Sequence, residues 1–426
     1  MYSADQSIPG GLITSTANRV SHLADSIAVF LQEKGMSQPD FSTTSSTLPN
    51  TSEYKLLRDR LNDAIQDLYL LSNGPLDFLR TFSWSVVDLA ALRVALSFKM
   101  FEIVPNNSEG LTVKEIADKA NLEQDRTGRI LKMLATYRIF EEDHGRFRHT
   151  AQSEFLRTSS FTAMVDAVLD DCYKGASEMD TAFRTTPGST LREDNSPFYC
   201  RFKRTFYDYY DEHSEKGLRF SKAMSAWSLF DNSFAVLRDN FNWKSLENKK
   251  IVDVGGGNGG ISAQLAREFV GLTFVVQDRS AQQLSSDFPT DVQNRITFQV
   301  ANYLDCQPVH DAGVYLLRNV FHNNNDGECA RILRALLPAL DNRSDSARLL
   351  INDCVVPPCA GGNITRSEER GIRQLDLMMM TLFGAKERTV DDWRCLLQSV
   401  DKRLNLKRVY YNAQGAGLLE VCLHRS

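Results

Sequence analysis

Residues 251 to 269 read IVDVGGGNGGISAQLAREF. Apolar residues around Asp253 make a short buried strand. Five glycines in six positions follow, and then an amphipathic run with helical spacing. Such a junction commits the chain to an α/β layer, with a ligand off the carboxyl end of the strand. Bare backbone there lets a ligand approach the peptide and lets the chain turn into the helix. Two spacings overlap. Gly255, Gly257 and Gly260 spell G-x-G-x-x-G, which suggests a dinucleotide. Asp253, Gly255, Gly257 and Gly259 spell D-x-G-x-G-x-G, which suggests S-adenosylmethionine.

From residue 245 onward strands and helices alternate. Strands are expected at 250 to 254, 272 to 277, 296 to 301, 312 to 319 and 348 to 354. Helices are expected at 259 to 269, 280 to 286 and 326 to 340. The alternation implies a parallel sheet covered on both faces. LNLKRVYYNA and LLEVCLHR are separated only by QGAG, which suits an antiparallel hairpin at the sheet edge. The second strand ends in Asp278, whose carboxylate can accept from both ribose hydroxyls of either candidate ligand. Later strands end in VANYL and YLLRNVFHNNND, so a histidine reaches the same crevice.

The N-terminal half is different. ANRVSHLADSIAVFLQEKG (17 to 35) has helical apolar spacing, and the Ser-, Thr- and Pro-rich run 37 to 53 reads as a mobile linker. A helical block follows. In residues 111 to 150, Thr112 with Glu115 forms a capping box, a second helix runs through Ile130, Leu131 and Leu134, and a hairpin turns at His144 and Gly145. That is a winged helix-turn-helix. The module is not basic, so a partner-binding or dimerising wing is favoured over DNA. An aromatic stretch between 160 and 235 reads as helices that form core or face a flat apolar substrate.

The 426 residues carry 49 Lys and Arg against 54 Asp and Glu, a net charge of −5, which favours neither nucleic acid nor an anionic membrane as partner. The 8 cysteines are scattered without metal spacing, so no metal is expected. No apolar run approaches the roughly 20 residues of a membrane span, and no signal peptide is read at MYSADQSIPGG. A cytoplasmic location is expected.

Taken together, DVGGGNGG, VVQD, LLRNVFH, the INDCVVP strand and GAKERT before DDWRCLL resemble the class I S-adenosylmethionine-dependent O-methyltransferases of the caffeic acid and fungal aromatic-polyketide type. The resemblance covers about residues 55 to 425. It implies an α/β fold: a Rossmann-like seven-stranded catalytic domain, its sheet mostly parallel with an antiparallel C-terminal hairpin, preceded by a helical winged-helix dimerisation domain. The expected divisions are 1–53 (helix and linker), 54–158 (dimerisation), 159–244 (helical substrate lid) and 245–426 (catalytic). A homodimer acting on a small molecule is implied. So is S-adenosylmethionine as cofactor, leaving as S-adenosylhomocysteine.

Carried over by position, Gly255, Gly256 and Gly257 line the cofactor loop and Asp278 holds the ribose. Asn302 stands where the family usually has an Asp for the adenine amino group. Tyr303 packs on the adenine, and Arg318 matches a basic residue near the cofactor. His322 matches the catalytic base, and Asp353 and Glu387 the two acids that flank it. Met378, Phe383 and Trp227 are assigned to the substrate pocket. One run departs from the family: His322-Asn323-Asn324-Asn325-Asp326 replaces the usual H-D-W-x-D and lacks its aromatic.

A phenol has a pKa near ~10, so at neutral pH it must lose a proton as it attacks. An imidazole in reach can take it. The expected activity is O-methylation of a phenol or enol of an aromatic or polyketide-like metabolite. The departing run motivates an alternative, an enzyme that keeps the cofactor but catalyses a pericyclic, dehydration or decarboxylation step. A third reading is a winged-helix binding protein with a regulatory cofactor domain.

Overall fold

The structure is a computed structural model that describes residues 11–107, 109–158, 161–227, 233–246, 248–280, 284, 286–341, 347–362, 364–412 and 415–424. Two compact units form. One holds Met1–Tyr173, Ser214–Trp227 and Thr365–Ser367; the other holds Lys174–His213, Ser228–Ile364 and Glu368–Ser426. The segment 159–244 thus contributes to both.

In the first unit, α1 (Leu12–Glu33) packs on α2 (Ser52–Ser97). α2 is kinked at Gly74, which has φ 65°, just before Pro75. Proline cannot donate to the helical ladder, and the residue before it is pushed out of helical geometry. The run 37 to 53 is anchored at one point. Phe41 accepts a backbone bond from Ala151 at 3.0 Å, and its ring lies under the Arg138 guanidinium at 4.3 Å.

Next comes the winged module. It consists of β1 (Leu111–Thr112), α3 (Val113–Ala120), α4 (Gln124–Thr136), β2 (Phe140–Asp143) and β3 (Arg146–His149), with both strand pairs antiparallel. The Thr112–Glu115 capping box is present, and His144 and Gly145 turn the hairpin with φ of 49° and 77°. Phe101, Ile116, Leu131, Leu134, Phe140 and Phe147 fill its core. Asp166, Asp170 and Asp171 of this unit meet Arg93, Lys216 and Arg219 in a charge-balanced cluster.

The second unit is built on a seven-stranded sheet of order β6-β5-β4-β7-β8-β10-β9. Its elements are β4 (Lys250–Val254), α5 (Gly260–Glu268), β5 (Thr273–Asp278), β6 (Ile296–Val300), β7 (Val314–Arg318), α6 (Asp326–Leu340), β8 (Arg348–Asn352), α7 (Arg366–Phe383), α8 (Val390–Val400), β9 (Leu404–Tyr411) and β10 (Gly417–Leu423). Strands β6 to β8 run parallel. β10 returns antiparallel between β8 and β9. Side chains alternate with period two: Ile251, Val314 and Leu316 join one apolar layer, Val252, Tyr315 and Leu317 the other. The strand order reverses at β4 and β7, so the crevice beyond their carboxyl ends lies at a switch point. The helix expected at 280 to 286 falls largely outside the described residues.

Candidate active site

The β4 strand ends in Asp253, which is buried and accepts from the Ser262 hydroxyl of α5 at 2.6 Å. Burial pushes its carboxyl up to about 6. The chain then turns through Gly255, Gly257 and Gly259, all at positive φ. A Cβ on Gly256 would lie 2.5 Å from the Asp253 carboxyl group, and one on Gly255 would lie 2.8 Å from Val320. The loop is therefore pressed against its own strand and against the β7 loop, which only glycine permits.

Asp278, at the end of β5, is half-buried and accepts from the Gly257 N–H at 3.0 Å through Oδ2. Among the described residues its other carboxylate oxygen takes no bond. Beyond β6, Asn302 is exposed and its side-chain oxygen accepts from the Leu304 N–H at 3.0 Å, a local Asx turn. Tyr303 is half-buried. Arg318 at the end of β7 donates to the Ser233 hydroxyl at 2.8 Å.

Past β7 the chain takes a left-handed step at Asn319, φ 52°, a conformation asparagine tolerates better than most residues. It then makes a tight turn over Phe321–Asn323. This presents His322, whose side chain is 12% exposed. Its backbone N–H donates to Asp353 Oδ2 at 3.0 Å, and its Nδ1 lies 2.9 Å from Glu387 Oε1. Among the described residues nothing bonds to Nε2. Burial by itself pulls the imidazole pKa down, but the Glu387 carboxylate, seconded by Asp353, more than reverses this and the net shift is upward. Burial raises both acids against the pull of the imidazole. Asp353 Oδ1 and Glu387 Oε2 are buried without a partner among the described residues. The geometry thus brings together three residues distant in the chain and leaves Nε2 available.

Two neighbours hold this arrangement and were not singled out from sequence. Arg388, almost fully buried, donates to the carbonyls of Phe321 and Asn324 at 3.0 and 2.9 Å and pairs with Asp326 at 2.8 Å, fastening both ends of the histidine turn. Asp376 accepts from the Glu387 N–H at 2.8 Å. Neither carries a local signal; each matters only because α7 and the following segment fold back onto the β7 and β8 ends.

Met378 is half-buried on α7, and Phe383 is buried at its end. The Phe383 ring centroid lies 4.7 Å from that of Phe206 and 5.6 Å from that of Tyr207. The side chain of Trp227 lies outside the described residues. No group of three or more His, Cys, Asp or Glu among the described residues has a metal-binding arrangement. No described helix is long and apolar enough to cross a membrane.

Residues 187–401 match the O-methyltransferase domain, and residues 82–159 match the O-methyltransferase dimerisation domain. The O-methyltransferase sol2 of Alternaria solani is 36% identical over 97% of this chain and 95% of its own. Among solved structures, OxaC in complex with SAH and oxaline superposes with a TM-score of 0.77 at 21% identity, covering 97% of this chain and 99% of its own. A protein described as a pericyclic reaction enzyme superposes with a TM-score of 0.71 at 17% identity, covering 96% and 100%. At these identities the two structures bear on the fold, which they share with this chain from end to end. The sequence relationship bears on the family: the chain belongs to the S-adenosylmethionine-dependent O-methyltransferases.

Proposed function

We propose that the protein methylates a hydroxyl, phenolic or enolic, of an aromatic or polyketide-like secondary metabolite, with His322 as the general base. The observation that carries the reading is the Nδ1 contact of His322 to Glu387 at 2.9 Å, with Nε2 unbonded among the described residues. A carboxylate on one ring nitrogen fixes the tautomer that makes the other an acceptor, and it stabilises the imidazolium once the proton arrives. Asp353 fixes the backbone of the same turn, so the ring is aimed from two sides.

The chain fits the cofactor. The glycine loop keeps side chains out of the crevice, and among the described residues Asp278 has one carboxylate oxygen without a bond, which serves the ribose hydroxyls. Gly255, Gly256, Gly257, Tyr303 and Arg318 complete the holding set. Asn302 serves only with the second lone pair of its amide oxygen, because Leu304 occupies the first. When bound, S-adenosylmethionine supplies an electrophilic methyl group on a sulfonium. The protein's part is to hold the acceptor oxygen in line, to exclude water and to receive the proton at Nε2. Met378 and Phe383 are assigned to the acceptor side. The protein acts as a cytoplasmic homodimer through its dimerisation domain, on a small molecule and not on nucleic acid or membrane.

Incubation with methyl-labelled cofactor and a panel of phenols and enols tests this; label in an ether product supports it, and release of label only to water refutes it. The run HNNND, together with the fold shared with a pericyclic reaction enzyme, favours a second reading in which the cofactor is kept but no methyl moves. On that reading S-adenosylhomocysteine supports turnover as well as S-adenosylmethionine does.

A further inference from the structure

The departing run has a structural counterpart in the helix Phe206–Glu212. Tyr207, its second residue, receives a hydrogen bond on its hydroxyl oxygen from Asn323 Nδ2 at 3.3 Å, and Asn323 directly follows the base. Four residues on, Asp211 accepts from Arg279 Nη2 at 3.0 and 3.1 Å, and Arg279 directly follows Asp278. The Arg279 guanidinium also lies 4.8 Å from the Tyr207 ring centroid. One helical turn is therefore pinned to the segment after β5 and to the segment after β7. In the sheet those strands flank β4. Neighbouring strands stand about 4.8 Å apart, so the two pins are about 10 Å apart. Tyr207 and Asp211 stand about 6 Å apart along the helix, at about 1.5 Å per residue, and the Asn323 and Arg279 side chains reach the rest of the way. The helix is thus tied to the two segments that flank the carboxyl end of β4, where the glycine loop begins.

The Tyr207 side chain is suited to that place. The residue is half-buried, and its hydroxyl accepts from Asn323. Phe383 and Phe206 pack against it at 5.6 and 5.5 Å and hold its plane. Asn323 also donates to the Asn319 carbonyl at 3.2 Å, so the amide that holds the hydroxyl is itself fixed. Asn324, the next residue, donates to the Val320 carbonyl at 2.7 Å. In a run that lacks the family's aromatic, Asn323 thus holds a tyrosine from another helix.

We propose that Tyr207 is a cofactor-binding residue, its ring laid against the adenosine half of S-adenosylmethionine, with Asn323 as its positioning residue. This rests on the methyltransferase reading of the same crevice. It gives the asparagine run a role: it supports aromatic surface brought in from another helix instead of supplying its own.

Calorimetric titration with S-adenosylhomocysteine tests it. Loss of base stacking on an aromatic ring costs about 5–150-fold in affinity. Tyr207→Leu, which fills the space without an aromatic face, is expected to bind at least about 10-fold more weakly, whereas Tyr207→Phe stays within about threefold of wild type. Asn323→Ala falls between them. Thermal melting without ligand shows that each variant is folded, and Tyr207→Met replaces Tyr207→Leu if that one is not. A Leu or Met variant that binds within twofold of wild type overturns the proposal, as does a Phe variant as weak as the Leu variant. If wild type itself binds no S-adenosylhomocysteine, the methyltransferase reading of the crevice fails. If Asp278→Ala loses binding while Tyr207→Leu keeps it, only the role of Tyr207 fails.

Discussion

His322 Nδ1 and Glu387 Oε1 lie 2.9 Å apart although 65 residues separate them in the chain. The contact sets the titration of the site. Glu387 holds the imidazole pKa above its ordinary value, against the opposing effect of burial. A general base works when neutral, so kcat/KM is expected to rise with pH and to level off above an inflection higher than the usual imidazole value near 6.5. Glu387→Gln removes the anion that favours the imidazolium, so the inflection moves to lower pH while the plateau rate falls. An inflection unmoved by that substitution uncouples Glu387 from the base.

Asp278→Ala removes the carboxylate that braces Gly257 and that is assigned to the ribose hydroxyls. Charged hydrogen bonds of this kind are worth about 2–3 kcal/mol, so calorimetry should show S-adenosylhomocysteine binding weaker by that amount. Unchanged affinity places the ribose elsewhere.

Gly256→Ala tests the loop itself. Its Cβ would stand 2.5 Å from the Asp253 carboxyl group, which is buried and bonded to Ser262 and cannot retreat. Overpacking of this sort costs about 1–3 kcal/mol, and the displaced loop should also bind cofactor less tightly. A variant that melts like the wild type and binds equally well shows that the loop has slack.

Much of the catalytic unit is legible in the sequence because periodicity and glycine spacing are local. The parallel strands fall within two residues of their expected ends, and the capping box at Thr112 lies where the residue types place it. The meeting of His322 with Asp353 and Glu387 was legible only by resemblance, since no spacing along the chain encodes it. The aromatic stretch was legible as helix but not as architecture. Phe206–Glu212 and Ser214–Trp227 are separated by His213 alone, yet they belong to different units. Apolar period says that a helix has a buried face, not which core it joins. The role proposed for Tyr207 was not legible for that reason. Phe41 was missed for another: a polar run reads as linker, and a single anchoring aromatic does not alter its composition.

The second half of α2 exposes Leu76 (80%), Leu79 (59%) and Phe82 (69%) at helical spacing, beside Trp84 (61%) and Val87 (60%). A face this apolar is what a lasting interface buries. Light scattering should give about twice the 48.1 kDa of one chain at micromolar concentration. The pair Leu79→Glu and Phe82→Glu, which puts unpaired charge on that face, should give the single-chain mass. A wild-type monomer at that concentration contradicts a dimer built on this face.

The most direct test is methyl transfer by His322→Ala, followed with labelled cofactor against phenols of graded acidity. With Nε2 gone and the glycine loop untouched, S-adenosylhomocysteine affinity should stay near the wild-type value. Turnover of an ordinary phenol should fall by about 10²–10⁴-fold, and the deficit should shrink toward none for a phenol already ionised at the assay pH. Transfer at the full wild-type rate to an unionised phenol, or a deficit that ignores phenol acidity, contradicts the account.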